Sequence, residues 1–293
     1  MKLLLSNNAL LLIWVGLMAS SFVVSENLLP FANPIASTGL RFILASVLML
    51  PFVVVNYRPM VNRLIFIKYG FISLFLVLFF LGLFEALKTT TAMRTSVIYT
   101  LVPLISLIFT YIALKLTVSK TKLMGFILGS MGATWVLLAF NNGLNFFVWY
   151  LGDSIFALGC ISLSLHVVLV KKWGAAVPPA QGAFYIMFSG GLMLLPFMGF
   201  FGELNKVAWM EPKFWEVLLY LTIFTTMATF FLQQHLVQKV GPNHLLAFTY
   251  LIPILVVIPQ GWAATSQLKD SLAGILITLL ALYLISRDQK IVS

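Results

Sequence analysis

Ten stretches of about twenty apolar residues follow one another along this chain with only short gaps between them. They run over 9–28, 34–55, 66–87, 91–113, 120–140, 151–171, 179–201, 214–236, 243–264 and 270–286. A helix of that length crosses the ~30 Å hydrocarbon core of a bilayer. Charged residues make up 9% of the 293, against roughly 25% in soluble domains. The expectation is an all-α integral membrane protein of ten transmembrane helices. Arg58-Pro59, Asn141-Asn142-Gly143, Pro178-Pro179 and Gly241-Pro242 mark gaps between the runs.

A formal net charge of +10 would suggest nucleic acid as partner in a soluble protein. Here the basic residues sit in the gaps with no aromatic stacking platform between them, so nucleic acid is excluded as a partner. Their distribution sets direction instead. With the N-terminus inside, twelve Lys and Arg fall on the cytoplasmic side, five on the outer side, and Arg41 inside a span. The acids Glu26, Glu85, Asp153, Glu203, Glu211, Glu216 and Asp270 fall at or near the outer side. Both termini are expected to be cytoplasmic. One competing reading takes Met1-Lys2, Leu10–Leu17 and Ala19-Ser20-Ser21 as a secretory signal peptide; its removal would leave nine helices. The single Cys160 excludes an internal disulfide and a CxxC or Cys/His metal site.

The chain also repeats itself. Tyr99-Thr100-Leu101-Val102-Pro103 and Thr249-Tyr250-Leu251-Ile252-Pro253 lie 150 positions apart, and at the same offset Glu85 meets His235, Lys88 meets Gln238 and Arg94 meets His244. Residues 1–145 and 146–293 then form two five-helix repeats. Five is odd, so the second repeat enters the membrane from the opposite side. Inverted repeats of this kind exchange inward-open and outward-open forms around a site between them.

At this point the chain resembles the EamA-type members of the ten-helix drug/metabolite transporter superfamily. The resemblance rests on Trp14, Leu40-Arg41-Phe42, Ala86-Leu87-Lys88, Pro103, and Gly125 with Gly132 in the first half. Gly152-Asp153, Gly241, Pro253 and Gly274 carry it in the second. It implies an EamA-like unit in each half and a cavity formed by helices one, three, four, six, eight and nine. A Glu common in the family about twelve residues after each proline is replaced by Lys115 and Thr265.

The candidate substrate-binding or gating residues are Trp14, Arg41, Phe79, Glu85, Tyr99, Pro103, His166, Thr249, Tyr250 and Pro253. Arg41 lies seven residues inside the second run, ~10 Å at 1.5 Å per residue. Lipid exposure would cost it at least ~2.5 kcal/mol, so it must face protein or water. It is read as a fixed tie to a carboxylate, with Glu26 and Glu85 nearest in depth, as a substrate contact, or as a gating bridge. Pro103 and Pro253 free the carbonyls of Tyr99 and Thr249, so both stretches should face the interior, as packing kinks or as hinges beside a substrate. Tyr99, Thr100, Thr249 and Tyr250 offer hydroxyls there. Phe79 would line an apolar cavity. His166 is read first as a satisfied core histidine and second as a proton relay. Glu85 would carry a coupled proton if buried, since burial favours the neutral carboxyl; no other cofactor is expected. Gly125 and Gly129 form a GxxxG that packs within the monomer or makes a homodimer seam.

No HExxH, G-x-S-x-G or Walker A is present, and no enzyme is expected. The expected function is secondary transport of a small metabolite across the bacterial inner membrane, foremost amino-acid efflux. Import or exchange of a nucleotide-like metabolite, a lipid-carrier flippase subunit and a non-transporting scaffold are the alternatives.

Overall fold

Proline marks where many of the helices begin. A proline in the first turn has no N–H to leave unbonded and its φ already suits a helix. Pro34, Pro179, Pro212 and Pro242 each open one here. The computed structural model of the chain describes residues 6–55, 63–90, 92–139, 149–261 and 265–292. The gap signals at Arg58-Pro59 and Asn141-Asn142-Gly143 lie outside them.

The first half holds α1 (Asn7–Glu26), α2 (Pro34–Val55), α3 (Arg63–Ala86), α4 (Ala92–Tyr99), α5 (Val102–Leu114) and α6 (Lys120–Ala139). The second holds α7 (Leu151–Trp173), α8 (Pro179–Phe201), α9 (Pro212–Thr222), α10 (Thr229–Val240), α11 (Pro242–Ala247), α12 (Ile252–Gly261) and α13 (Thr265–Val292). A π-helical turn, Ile223–Ala228, joins α9 to α10, and a 3-10 turn, Phe248–Leu251, joins α11 to α12. Among the described residues there is no strand. Nine helical runs there are long and apolar enough to cross a membrane, and a tenth, Pro242–Val256, is apolar but shorter.

The two prolines of the repeated motif act alike. The chain breaks at Thr100-Leu101 before Pro103, and a 3-10 turn precedes Pro253. At each break a threonine hydroxyl closes the turn: Thr100 Oγ1 donates to the Val97 carbonyl and Thr249 Oγ1 to that of Leu246, both at 2.7 Å. The Thr100 carbonyl accepts from Ser130 Oγ at 2.9 Å. A second proline pair went unread in the sequence. Pro51 lies inside α2 and Pro196 inside α8, each seventeen residues after the proline that opens its helix.

The closest packing pairs α6 with α13, α3 with α7, and α2 with α8; α5 lies on α7 and α11, and α1 on α10 and α12. Let the halves be exchanged in order, α1 for α7, α2 for α8, α3 for α9–α10, α4–α5 for α11–α12 and α6 for α13. The pair α3/α7 then becomes α10/α1, α5/α7 becomes α12/α1, and the α2/α8 and α6/α13 pairs return to themselves. Leu11, Trp14 and Val15 of α1 are buried, so α1 is a full member of the bundle. Exposed apolar side chains such as Leu12, Phe52, Leu158 and Leu276 cover its outside, where lipid tails would lie.

Glycine sets the α6/α13 contact. A methyl on Gly132 would sit 2.8 Å from the Gly274 carbonyl oxygen, and one on Gly274 would sit 2.8 Å from that of Gly132. Gly125 and Gly129 lie against Ile285 and the Tyr250 ring of the same chain, so the GxxxG packs within the monomer. Gly132→Val must push the helices apart. Overpacking of this kind costs typically about 1–3 kcal/mol, and a fall of several degrees in the thermal midpoint of the detergent-solubilised protein is expected. Gly16→Ala, whose added methyl meets nothing within 4 Å, is expected to leave the midpoint unchanged or raise it. Equal midpoints for both variants would refute the close-contact role.

Candidate functional site

At the N-terminal end of α7 the chain holds an ion pair that sequence reasoning did not assemble. Asp153 stands in the first turn, where it accepts from the Tyr150 backbone N–H at 2.9 Å. A carboxylate is favoured there because the first N–H groups lack helical partners. Gly152 lets the end of α3 close on this turn, since a methyl there would lie 2.7 Å from Thr89 Oγ1. Thr90 Oγ1 then donates to Asp153 Oδ1 at 2.6 Å. From α4, Arg94 donates through Nη2 to Oδ2 at 2.5 Å and through Nε to both oxygens at 3.2 Å. The Arg94 guanidinium also lies over the Tyr150 ring, 4.9 Å from its centre. Both charged side chains are buried, at 6% and 0% exposure. One carboxylate thus ties α3, α4 and α7 together beside a cavity of about 180 Å³ that Val97, Thr100 and Thr134 also line. The usable signal was a basic residue opening the fourth run and an acidic one opening the sixth, at the same membrane face.

Among the described residues, Arg41 is held by hydroxyls. Its Nε donates to Thr226 Oγ1 at 3.2 Å, and Nη2 donates to Thr225 Oγ1 and Thr226 Oγ1, each at 3.1 Å. Both threonines belong to the π-helical turn. Neither acid named for Arg41 is shown to reach it. Glu85 is exposed and pairs with Lys88 at 2.5 Å, and the side chain of Glu26 is not among those described. Exposure also removes from Glu85 the burial on which proton carriage was to rest. Among the described residues, Asp153 is the buried carboxylate.

His166 is fully buried and satisfied at both nitrogens. Nδ1 lies 2.9 Å from the Ile72 carbonyl, which only accepts, so Nδ1 carries the proton and Nε2 accepts from the Gln233 amide at 3.0 Å. Tyr250 donates to the Phe126 carbonyl at 3.0 Å and meets Ser130 Oγ at the same distance. Phe79 packs among Phe80, Tyr99 and Phe156, with ring centres 5.2, 6.3 and 6.1 Å away. Pro103, Pro253 and Thr249 are buried. Trp14 is 1% exposed, and its indole N–H has no partner among the described residues.

The opposite end closes on amides and a hydroxyl, with the Lys171 ammonium beside them. Gly182 of α8 lets the Tyr69 hydroxyl and the Gln234 amide converge, since a methyl there would lie 2.7 and 2.8 Å from them. Gln238 Nε2 donates to the Val170 carbonyl at 2.8 Å, and Lys171 Nζ to the Gln238 carbonyl at 2.7 Å. Nearby in sequence, Asn243 Oδ1 accepts from Thr110 Oγ1 at 2.7 Å and Ser106 Oγ at 3.1 Å. The structure thus brings Arg94 and Asp153 together at one end, Tyr69 and Gln234 at the other, and Arg41 with its threonines between. Phe79 joins Tyr99 in an aromatic patch, while Glu85 stands apart from all of these.

A model described as the EamA-like transporter family matches residues 6–138 and again residues 150–287. The chain is 25% identical over 257 residues to the uncharacterized transporter YetK of Bacillus subtilis (strain 168), which covers 84% of this chain and 76% of that one. It is 24% identical over 279 residues to the chloroplastic WAT1-related protein At3g02690 of Arabidopsis thaliana, over 91% of this chain and 66% of that one. A crystal structure described only as that of a protein superposes with a TM-score of 0.74 at 18% identity, over 95% of this chain and 99% of that one. That likeness concerns the fold.

Removing one partner of a buried ion pair leaves the other charge uncompensated, which typically costs roughly 3–5 kcal/mol. Asp153→Asn and Arg94→Gln are each expected to lower the thermal midpoint strongly. The Arg94→Gln/Asp153→Asn double variant should lose less than the two single losses added together. Additive losses in such a cycle would show that the two residues act independently.

Proposed function

The chain belongs to the EamA-like transporter family, a multi-pass membrane transporter of the drug/metabolite type, and from that premise we propose that it exports a small metabolite of the amino-acid class by alternating access. The reading places it in the bacterial inner membrane with ten spans and both termini in the cytoplasm. Residues 1–145 and 146–293 act as two inverted repeats around the shared site. The observation that carries it is the exchange of halves. The helix pairs α3/α7, α5/α7, α2/α8 and α6/α13 map onto observed pairs when the halves are swapped, and a break recurs before Pro103 and Pro253, each closed by a threonine hydroxyl bonded three residues back though not at equivalent positions. The excess of twelve over five basic residues supports cytoplasmic termini.

The two ends then serve as gates with different chemistry. The Arg94–Asp153–Thr90 tie closes the outer end, and the cluster of Tyr69, Gln234 and Gln238 lies at the inner one. An ion pair that gates must break and re-form, and here it spans three helices of the two repeats. If transport is coupled to protons, Asp153 replaces Glu85 as the carrier, because protonation would release Arg94.

In cells overproducing the protein, the intracellular pool of the transported metabolite is expected to fall and its level in the medium to rise; the reverse holds in cells lacking it. A metabolite profile unchanged in both strains would refute transport, and a pool that rises with overproduction would reverse the direction. Gating is read separately. In a Cys160→Ala background, Val97→Cys and Asn243→Cys are expected to change accessibility to water-soluble thiol reagents in opposite senses when that metabolite is added. Asp153→Asn should expose Val97→Cys without it. Fixed accessibility at both positions would sink the alternating mechanism.

A further inference from the structure

On the outside of the bundle, α3 and α7 turn matching stripes toward one space, a groove of about 410 Å³. From α3 come Leu78, Leu81, Gly82 and Glu85. From α7 come Ile155, Leu158, Gly159 and Ser162, at the same steps of three, four and seven residues that keep side chains on one helix face. The two helices run antiparallel. A methyl on Gly152 would lie 2.5 Å from the Ala86 carbonyl oxygen at the end of α3, and one on Gly159 would lie 3.4 Å from that of Phe79. Gly82 and Gly159 meet where the helices cross, since a methyl on Gly82 would sit 3.5 Å from Gly159 Cα. With no side chain at either position, the backbones form the floor and the leucines with Ile155 form the walls. Leu78 and Leu158 are exposed, so the groove opens away from the core and onto the lipid-facing surface.

The two ends of the groove differ in chemistry. Ser162 stands eleven residues into α7, ~16 Å along it, about half-way through a ~30 Å hydrocarbon core. Its hydroxyl donates to the Leu158 carbonyl of its own helix at 3.1 Å, so this end is apolar in effect. Glu85 lies at the other end, where α3 finishes and the Arg94–Asp153 tie begins. It pairs with Lys88 at 2.5 Å, and the two side chains are 57% and 64% exposed. An exposed pair of this kind holds weakly, so both charges are open to a new partner. An apolar slot that ends in two opposite charges at the membrane interface fits one phospholipid, its chain in the slot and its headgroup at the mouth. The charges also select the headgroup. An anionic one would meet Lys88 but be repelled by Glu85, and a choline ammonium has no N–H to donate. A primary ammonium beside a phosphate gives each residue a charge-assisted hydrogen bond.

We propose that the α3/α7 groove is a lipid site for a phospholipid bearing a primary ammonium, which meets Glu85 while the phosphate meets Lys88. The site goes beyond the transport reading and stands without it. α3 belongs to the first half of the chain and α7 to the second. A lipid held there braces the seam between the halves along Gly82 and Gly159, one to two turns from the Thr90–Asp153 hydrogen bond.

The test titrates delipidated protein in detergent with phosphatidylethanolamine, phosphatidylglycerol or phosphatidylcholine of identical chains, read by native mass spectrometry. One ethanolamine lipid per protein is expected to bind at a concentration several-fold below that needed for the other two. It should also raise the thermal midpoint more than they do, because a ligand of the folded state stabilises it. Glu85→Gln, at an exposed side chain, should erase the preference over the glycerol lipid, since Lys88 alone then faces the headgroup. Ser162→Phe, which plugs the apolar end, should remove the tight ethanolamine site. If Ser162→Phe does not fold, Gly82→Ala takes its place, because its methyl raises the floor while making only ordinary contact. Equal binding of the three lipids would overturn the proposal. So would a preference that survives both Glu85→Gln and the groove-filling variant. A protein dimer that the groove-filling variant dissociates would give the groove to a second copy of the chain and overturn the lipid assignment.

Discussion

Inside a bilayer there is no water to complete a hydrogen bond, and much of this structure follows from that shortage. Buried hydroxyls donate to backbone carbonyls throughout: Ser73 to Tyr69 and Ile186, Ser164 to Cys160 and Val102, Thr229 to Thr225, Thr278 to Gly274. Some of these bonds stay within a helix and only quiet the hydroxyl. Others cross between helices, so Ser73 ties α3 to α8 and Ser164 ties α7 to α5. The same rule explains how the proline breaks survive. Each tightened turn finds a side-chain donor, Thr100 on the Val97 carbonyl and Thr249 on that of Leu246.

Charge obeys a stricter form of the rule. A hydroxyl is content with one carbonyl, but a buried ion needs an opposite ion or a tightly fixed polar cage. Arg94 and Asp153 meet the first condition, with Thr90 and the Tyr150 N–H filling the remaining lone pairs of the carboxylate. Arg41 meets the second through Thr225 and Thr226 of the π-helical turn.

Much of the architecture was legible in the sequence because hydrophobic length and proline are strong local signals. The ten apolar runs match the helical runs to within a few residues, and both repeated prolines sit at breaks. Individual contacts were far less legible. Arg94 entered the sequence reading only as the counterpart of His244 in the repeat, whereas its partner Asp153 lies 59 residues away. Only the fold brings α4 to the first turn of α7. Arg41 was expected to seek a carboxylate, since nothing in the letters Thr225-Thr226 announces a π-helical turn. The equal spacing of Pro34 and Pro51 with Pro179 and Pro196 was readable and passed unnoticed, because those prolines lie outside the more conspicuous Pro103 and Pro253 motif.

The π-helical turn between α9 and α10 contains one residue more than a regular helix would need to cover the same rise. Each residue of an α-helix advances it by about 100°, and the wider turn takes up its extra residue by turning less at each step. Loss of a single residue from Ile223–Ala228 would therefore restore a regular helix and leave α9 and α10 facing as they do. The Tyr220 hydroxyl would stay on Ser20, but the two successive threonine hydroxyls on the Leu221 carbonyl, which hold Arg41, would no longer both fit. A one-residue deletion is thus a change confined to the surroundings of one arginine, and it leaves both ends of the span where they were.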